Sequence, residues 1–386
     1  MQLLPRNHVV LLRDGAAFFP ALLTAIASAR HSVWLETYIF TQDETGQTVA
    51  NALQAAAARG VQVNLLLDGF GSGGLSDAFQ RSLLEAGVRL LFFRPEIGLW
   101  PFQRQRLRRL HRKLALIDGR IGFVGGINII NDKSSPATPP RFDYAVQVTG
   151  PVCMDIAKTM SQQWRRTSRI QWKHDWIMPP VRLPRQPETG EQAAALVVRN
   201  NGRHRRDIEN AYLTAMENAQ REIIIANAYF LPGVRFRRAL VAAAERGVSV
   251  TLLLQGRLDH ALLQFACRGY FHQLVKAGVR IVEYRRGLMH AKVAVIDHQW
   301  STVGSSNIDP FSILVAREAN LVIRHVGFAK TLRQDLLKEI RESGVEVSVD
   351  MLRKRWWGYR VLPWLAYQMV RALMGMAGYG QDAYRE

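Results

Sequence analysis

The stretch HRKLALIDGRIGFVGGIN, residues 111–128, returns as HAKVAVIDHQWSTVGSSN, residues 290–307. Both fit H-x-K-x4-D-x6-G-[GS]-x-N with no gap. A single H-x-K on a strand means little. Two copies with matching internal offsets can surround one phosphate with two imidazoles, two ammoniums and two carboxamides. The residues concerned are His111, Lys113 and Asn128 in the first copy and His290, Lys292 and Asn307 in the second. In each copy the motif reads as a strand. A hairpin turn at Asp118 or Asp297 leads into a second strand that ends at the Gly-[Gly/Ser]-x-Asn.

Working outward, the duplication continues. FPALLTAIASARHSVWLETYI (19–39) is answered by AYLTAMENAQREIIIANAYF (211–230), each an amphipathic helix, a turn and a β-rich strand. The tyrosines that close these strands, Tyr38 and Tyr229, are candidate substrate contacts. ALQAAAARGVQVNLLLDG (52–69) matches ALVAAAERGVSVTLLLQG (239–256), an Ala-rich helix, a C-terminal Gly and a strand of the fully buried kind. EAGVRLLFF (85–93) matches KAGVRIVEY (276–284). Alternating helix and strand, twice over, predicts an α/β fold. It has two repeated halves, each a mixed sheet flanked by helices, packed about a pseudo-twofold axis. The expected limits are 1–180 and 193–345, with a Pro-rich linker over 178–192 and a tail over 346–386.

The halves differ at two places. Ala86 to His111 spans twelve residues more than Ala277 to His290, and the surplus falls in RPEIGLWPFQRQRLRR (94–109), an apolar wedge followed by four arginines. NDKSSPATPPRF (131–142) is a second, Pro-rich departure. The tail, MLRKRWWGYRVLPWLAYQMVRALMGMAGYG (351–380), is cationic and then aromatic and apolar, a composition that suits a membrane interface.

Composition narrows the partners. Fifty-one Lys and Arg against 32 Asp and Glu give a net charge of +19, a field that favours nucleic acid or an anionic membrane surface. The two cysteines, Cys153 and Cys267, have no metal-ligand spacing and are too few for a disulfide framework. No metal or other cofactor is expected. No run of 18 clean apolar residues is present, and the N-terminus lacks the features of a cleavable signal peptide.

A phosphodiester repels nucleophiles, so its non-bridging oxygens must be neutralised and an attacker held in line. Lys113 and Lys292 supply charge, while Asn128 and Asn307 supply hydrogen bonds. The glycines before each Asn would let backbone approach the phosphate. One neutral imidazole can attack phosphorus while the other, protonated, gives its proton to the leaving alcohol. Each histidine needs an orienting partner, for which Asp143 and Glu318 are the candidates. Asp118 and Asp297 read as structural turn residues.

The duplicated motif resembles that of the phospholipase D superfamily, over roughly residues 7–345. The resemblance implies a covalent phosphohistidine, no metal, and a site between the two halves. It makes His111 the nucleophile and His290 the acid/base. Glu318 matches the superfamily's downstream acidic position, and Asp143 corresponds to it across a longer loop. Within the superfamily, LETYIF (35–40), LLLDGFGS (65–72), GGIN (125–128) with DYAVQVTGP (143–151), and ANAYFLP (226–232) resemble bacterial cardiolipin synthases of the shorter type without N-terminal transmembrane helices. That resemblance implies transfer of a phosphatidyl group from one phosphatidylglycerol to another, with release of glycerol. The implied partner is anionic phospholipid of the inner membrane; the aromatic-apolar tail and the Leu99–Phe102 wedge argue against nucleic acid, and the two unpaired cysteines favour the cytoplasmic face. The oligomeric state is not legible. Hydrolysis by water and nuclease activity stand as alternatives, and a non-enzymatic membrane scaffold is a further one.

Overall fold

In the computed structural model the described residues are 1–95, 108–132, 139–176, 190–200, 204–257, 267–309 and 316–348. Most of the 94–109 insertion, most of the 178–192 linker, and the tail from 349 onward lie outside them.

The sequence repeat becomes a repeat of elements. The first half runs β1 (Leu4–Arg13), α1 (Asp14–Ser28), β2 (Ser32–Thr37), α2 (Glu44–Ala58), β3 (Gln62–Asp68), α3 (Asp77–Glu85) and β4 (Arg89–Phe93). It continues through β5 (Arg109–Leu110), β6 (Leu114–Ile117), β7 (Ile121–Gly125), β8 (Tyr144–Thr149) and α4 (Cys153–Ile170). The second half runs β9 (Gln192–Arg199), α5 (Asp207–Glu217), β10 (Glu222–Asn227), α6 (Val234–Glu245), β11 (Ser249–Gln255), α7 (Phe271–Lys276) and β12 (Arg280–Tyr284). It closes with β13 (Lys292–Ile296), β14 (Trp300–Gly304), β15 (Ala316–Arg324), α8 (Val326–Ser343) and β16 (Gly344–Glu346).

The strand order is β4-β3-β2-β6-β7-β8-β1 in one half and β12-β11-β10-β13-β14-β15-β9 in the other, with β16 added beside β12. The two lists are the same list. They join where β1 meets β9 in a short antiparallel pairing, Leu4 opposite Ala194 and Asn7 opposite Gln192. The β2-β3-β4 and β10-β11-β12 pairs are parallel, and the hairpin strands are antiparallel. The sheets are therefore mixed, as two βαβ crossovers followed by a hairpin require.

Local chemistry explains the element boundaries. Asp43 and Ser76 cap α2 and α3, accepting from Gly46 N at 2.9 Å and Phe79 N at 3.2 Å. At the C-terminal ends of α2, α3, α6 and α7 the same Gly-Val step recurs. Gly60, Gly87, Gly247 and Gly278 have φ of 85–89°, which a side chain resists, and the valine after each is buried.

Helices lie in three layers. Leu22, Leu53 and Leu83 of α1–α3 pack on the outside of the first sheet with Leu65 and Ile117. Leu213, Leu240 and Leu274 of α5–α7 do the same on the second with Ile225 and Leu252. The third cluster mixes both halves. Trp164 and Met160 of α4 and Leu332 and Leu336 of α8 pack there with Trp34, Leu116 and Val295. This shared middle layer binds the halves into one body, because burying each apolar side chain of that size contributes about 1.5–3 kcal/mol. Among the described residues no helix is long and apolar enough to cross a membrane.

The motif aspartates sit in the hairpin turns. Asp118 and Gly119, and Asp297 and His298, all have positive φ, as a type I′ turn demands. The Asp118 carboxylate accepts from the backbone N–H groups of Arg30, His31 and Ser32 at 2.8–2.9 Å. Asp297 does the same for Gln220, Arg221 and Glu222 at 2.8–3.1 Å. Each aspartate thus staples its hairpin to the start of the neighbouring strand. Burial would raise the pKa of both, but these donors outweigh it and hold both below the ordinary value. Asp118→Ala is expected to lower stability by about 1–2 kcal/mol by stranding three donors. Urea unfolding measures it, and turnover per folded molecule should be largely kept.

Candidate active site

The two motif histidines meet where the halves meet, and each is held by the half it does not belong to. Among the hairpin strands, Lys113 and Lys292 stand at or just before the first residues of β6 and β13, with His111 and His290 two residues earlier. The backbone N–H of His111 donates to the carbonyl of Arg317 at 3.0 Å, and β5 runs parallel to the start of β15. The N–H of His290 donates to the carbonyl of Phe142 at 2.8 Å, across a parallel bridge between Phe142 and Met289.

The side chains cross over in the same way. His111 Nδ1 lies 3.0 and 3.1 Å from the two carboxylate oxygens of Glu318. His290 Nδ1 lies 2.6 Å from Asp143 Oδ2. An ionised carboxylate only accepts, so Nδ1–H of His111 donates to Glu318 and its Nε2 is left bare, and the same holds for His290 while Asp143 is ionised. Both candidate orienters are thereby brought to the histidines. They occupy equivalent places, since each lies two residues before the partner of the last hairpin residue, Ala145 opposite Gly125 and Asn320 opposite Gly304.

The pairs are not electrostatically equal. Glu318 also accepts from Ser305 Oγ at 2.5 Å and lies 3.5 Å from the buried Arg199 guanidinium. Burial works to raise its pKa, but His111, Arg199 and Lys113 prevail and hold it below the usual value. Asp143 accepts from Tyr144 N at 2.8 Å, and burial pushes it up to about 7 despite Lys292 and Lys113. Burial lowers the pKa of both histidines. For His290 the cations Lys292, Lys113 and Arg141 add to burial and take it well below the ordinary value. The lysines are buried too, which brings Lys113 down to about 7 and Lys292 to about 8. Lys113 Nζ donates to the His111 carbonyl at 2.8 Å, and Lys292 Nζ to the His290 carbonyl. Burial outweighs the carboxylates that act on them, Glu318, Asp143 and Asp68 on Lys113 and Asp143, Glu318 and Asp309 on Lys292, and an anionic occupant would favour both charged forms.

Asn128 and Asn307 are buried beside them. Asn128 Oδ1 accepts from Ile39 N at 3.2 Å, which leaves its NH2 group to donate. Tyr38 packs on His111 with ring centroids 4.8 Å apart, and Lys113 Nζ lies 5.3 Å from the Tyr38 centroid. Tyr229 does not repeat the place of Tyr38. Phe40 bridges to Ile129 and Phe230 to Ile308, so the residue equivalent to Tyr38 is Ala228, and Tyr229 is one place out of register. It lines a small cleft with Ala228, Cys267, Phe271 and Glu283. Successive strand residues face opposite ways, so one step changes the neighbourhood.

The glycines require a correction. A Cβ on Gly126 would stand 2.4 Å from Asp143 Oδ1, and one on Gly125 would stand 2.5 Å from Ala145 Cα. They make room for the neighbouring strand and its carboxylate rather than for a substrate. Gly126→Ala is expected to displace Asp143 and cut turnover about 10²-fold with the fold retained, since a displacement near 1 Å in a catalytic array has that effect. Initial rates with circular dichroism as the fold control check it. Arg199 and Ser305 escaped the sequence reading. Ser305 is signalled only by the GSSN that replaces GGIN, and Arg199 by nothing local.

The chain matches known proteins along its length. A family model described as "Cardiolipin synthase, PLD-like domain" matches residues 22–164 and again 212–341. Cardiolipin synthase B of Salmonella typhimurium is 42% identical over 97% of this chain and 90% of its own length. Cardiolipin synthase B of Escherichia coli K12 is 40% identical over the same shares. Cardiolipin synthase A of Pseudomonas entomophila is 32% identical over 94% of this chain and 75% of its own. The crystal structure of phosphatidylserine synthase from Haemophilus influenzae superposes with a TM-score of 0.72 at 14% identity, covering 98% of this chain and 97% of that one, a likeness of fold. With both halves matched by the family model and identity above 40% over nearly the whole chain, this protein belongs to the phospholipase D-like cardiolipin synthase family.

Proposed function

We propose that the chain is a cardiolipin synthase that moves a phosphatidyl group from one phosphatidylglycerol to another through a phosphohistidine. The observation that carries the reading is the crossed pair, His111 on Glu318 and His290 on Asp143, with two buried lysines between. Nε2 of His111 attacks the donor's phosphorus and the bond to glycerol breaks. His290 gives its Nε2 proton to the departing glycerol oxygen. The acceptor hydroxyl then returns a proton to His290 and attacks phosphorus, and the P–N bond breaks to free His111. His111 takes the nucleophilic role because Glu318 is held ionised by Arg199 and supports the positive charge that develops on the ring. His290, held low in pKa by burial and by Lys292, Lys113 and Arg141, gains a proton more readily once the anionic phosphate sits beside it. Lys113, Lys292, Asn128 and Asn307 hold the non-bridging oxygens, and Tyr38 walls the pocket. The domain limits 1–180 and 193–345 put one histidine on each side of this site. The substrate brings the protein to an anionic membrane as a peripheral partner, at its cytoplasmic face.

Lipid mass spectrometry after incubation with phosphatidylglycerol vesicles tests the reaction. Cardiolipin with free glycerol is expected. Phosphatidic acid alone would mean hydrolysis, and unchanged lipid in vesicles the protein binds would reject the proposal.

The titrating groups set the pH response. As pH falls through about 7, Asp143 takes up a proton and His290 loses its anion. As pH rises through about 7 to 8, Lys113 and then Lys292 lose charge. The pH profile of kcat/KM is expected to be a narrow bell near neutrality, and that of kcat a broader one because bound phosphate keeps both lysines charged. Initial rates at fixed ionic strength check this.

A further inference from the structure

On the other side of the His111 strand lies a cluster of arginines that the reaction does not use. Arg112 and Arg317 each neighbour a site residue, and alternation along an extended chain turns them away from His111 and Glu318. They line a groove of about 1310 Å³ between α4 and the β9–β15 surface, together with Arg166 of α4. Arg94, at the end of β4, joins them electrostatically, and the guanidiniums of Arg94 and Arg317 lie 5.4 and 5.1 Å from the Phe93 ring.

The cluster is short of anions. Glu36 pairs with Arg112 at 2.9 Å, and Asp68 acts on Arg94 electrostatically. Of the acidic side chains on the groove wall, Asp297 holds three backbone donors, Asp207 pairs with His204 at 2.7 Å, and Asp155 is drawn electrostatically to Lys158. Arg112 is only 6% exposed, yet its Nε has no hydrogen-bond partner, and neither has Nε of Arg317. Burial, then Arg112, Arg166 and Arg94, bring Arg317 down to about 9 against the pull of Glu36. Like charges gathered in a partly desolvated wall are unfavourable unless an anion enters among them. Planar guanidiniums with free N–H groups are matched to the oxygens of a phosphate.

We propose that Arg112, Arg166, Arg317 and Arg94 form a second phosphate-binding site, distinct from the histidine pocket, that takes the phosphate of an anionic phospholipid headgroup. The need for a phosphate stands on the cluster alone; the choice of a lipid headgroup over free phosphate rests on the reaction proposed above.

Calorimetric titration of the full chain, in a His111→Ala background that stops turnover, tests it with a water-soluble short-chain phosphatidylglycerol. Two binding events per chain are expected. Arg166→Gln and Arg317→Gln should each weaken one of them about tenfold, the effect of losing a charge-assisted hydrogen bond, and leave the other unchanged. Arg166 is exposed on α4, so its replacement keeps the fold and decides the matter if Arg317→Gln unfolds. A single event, or two events indifferent to both arginines, would overturn the site. Inorganic phosphate is the second arm. If it displaces the lipid from the arginine-dependent event only at much higher concentration, the headgroup source stands. Displacement at equal concentration would overturn that source in favour of free phosphate. If the wild-type chain turns over no phosphatidylglycerol while the arginine-dependent event persists, the reaction fails and the site stands.

Discussion

His111→Ala is expected to lower cardiolipin formation by about 10⁴-fold or more, the scale seen when a covalent nucleophile is removed. His111 is the histidine whose carboxylate is held below its ordinary pKa against burial, by His111 itself, by Arg199 at 3.5 Å and by Lys113, with Ser305 Oγ donating to it at 2.5 Å. A nucleophilic imidazole acquires positive charge as the P–N bond forms, and a fixed anion on its Nδ1 stabilises that charge before reorganisation is needed. No other described side chain is placed to replace it, because the pocket's other imidazole faces a carboxyl group raised to about 7. The measurement is mass spectrometry of lipid products together with a search for phosphatidyl adducts on the acid-quenched wild-type protein. An adduct on the peptide containing His111 is the expected result. An adduct on His290 would reverse the two roles while preserving the reaction.

The second large effect concerns a residue that never touches the substrate. Glu318→Gln is expected to reduce kcat about 10³–10⁴-fold, the loss seen when the carboxylate that orients a catalytic histidine becomes an amide. The change also leaves the buried Arg199 facing a neutral group, so stability should fall by about 3 kcal/mol. Rates must therefore be taken on protein shown to be folded. Asp143→Asn is expected to be milder, since its carboxyl, raised to about 7, is already part-protonated near neutral pH. It should also flatten the acidic limb of the pH profile, whereas Glu318→Gln should leave that limb in place. Comparable losses with unaltered profiles would show that the two pairs are equivalent and that the assigned polarity is wrong.

Some of this was open to reading along the chain. The doubled H-x-K…D…G-x-x-N fixes the hairpin because its turn residues are local. Asp118-Gly119 and Asp297-His298 adopt positive φ within a few residues of the strands they join. The Gly-Val steps after the Ala-rich helices are equally local, and they announce four helix-to-strand turns of one geometry. The choice of the polar site residues rested on the same duplication. Tyr229 is not the repeat counterpart of Tyr38, because an aromatic in the same phrase is no measure of register, which is set by the bridge from Phe230 to Ile308.

The sequence by itself determined that there are two copies of one α/β unit and that each carries a histidine, a lysine and an asparagine, since period, turn chemistry and spacing are properties of short segments. The tertiary structure alone decided which carboxylate serves which histidine. His111 reaches Glu318 across 207 residues and His290 reaches Asp143 across 147. It also decided that Arg112 and Arg317, each adjacent to a site residue, belong to a groove on the other face. Such pairings arise only when the apolar faces of α4 and α8 are buried between the two sheets, because that packing, rather than any local preference, brings distant strands side by side.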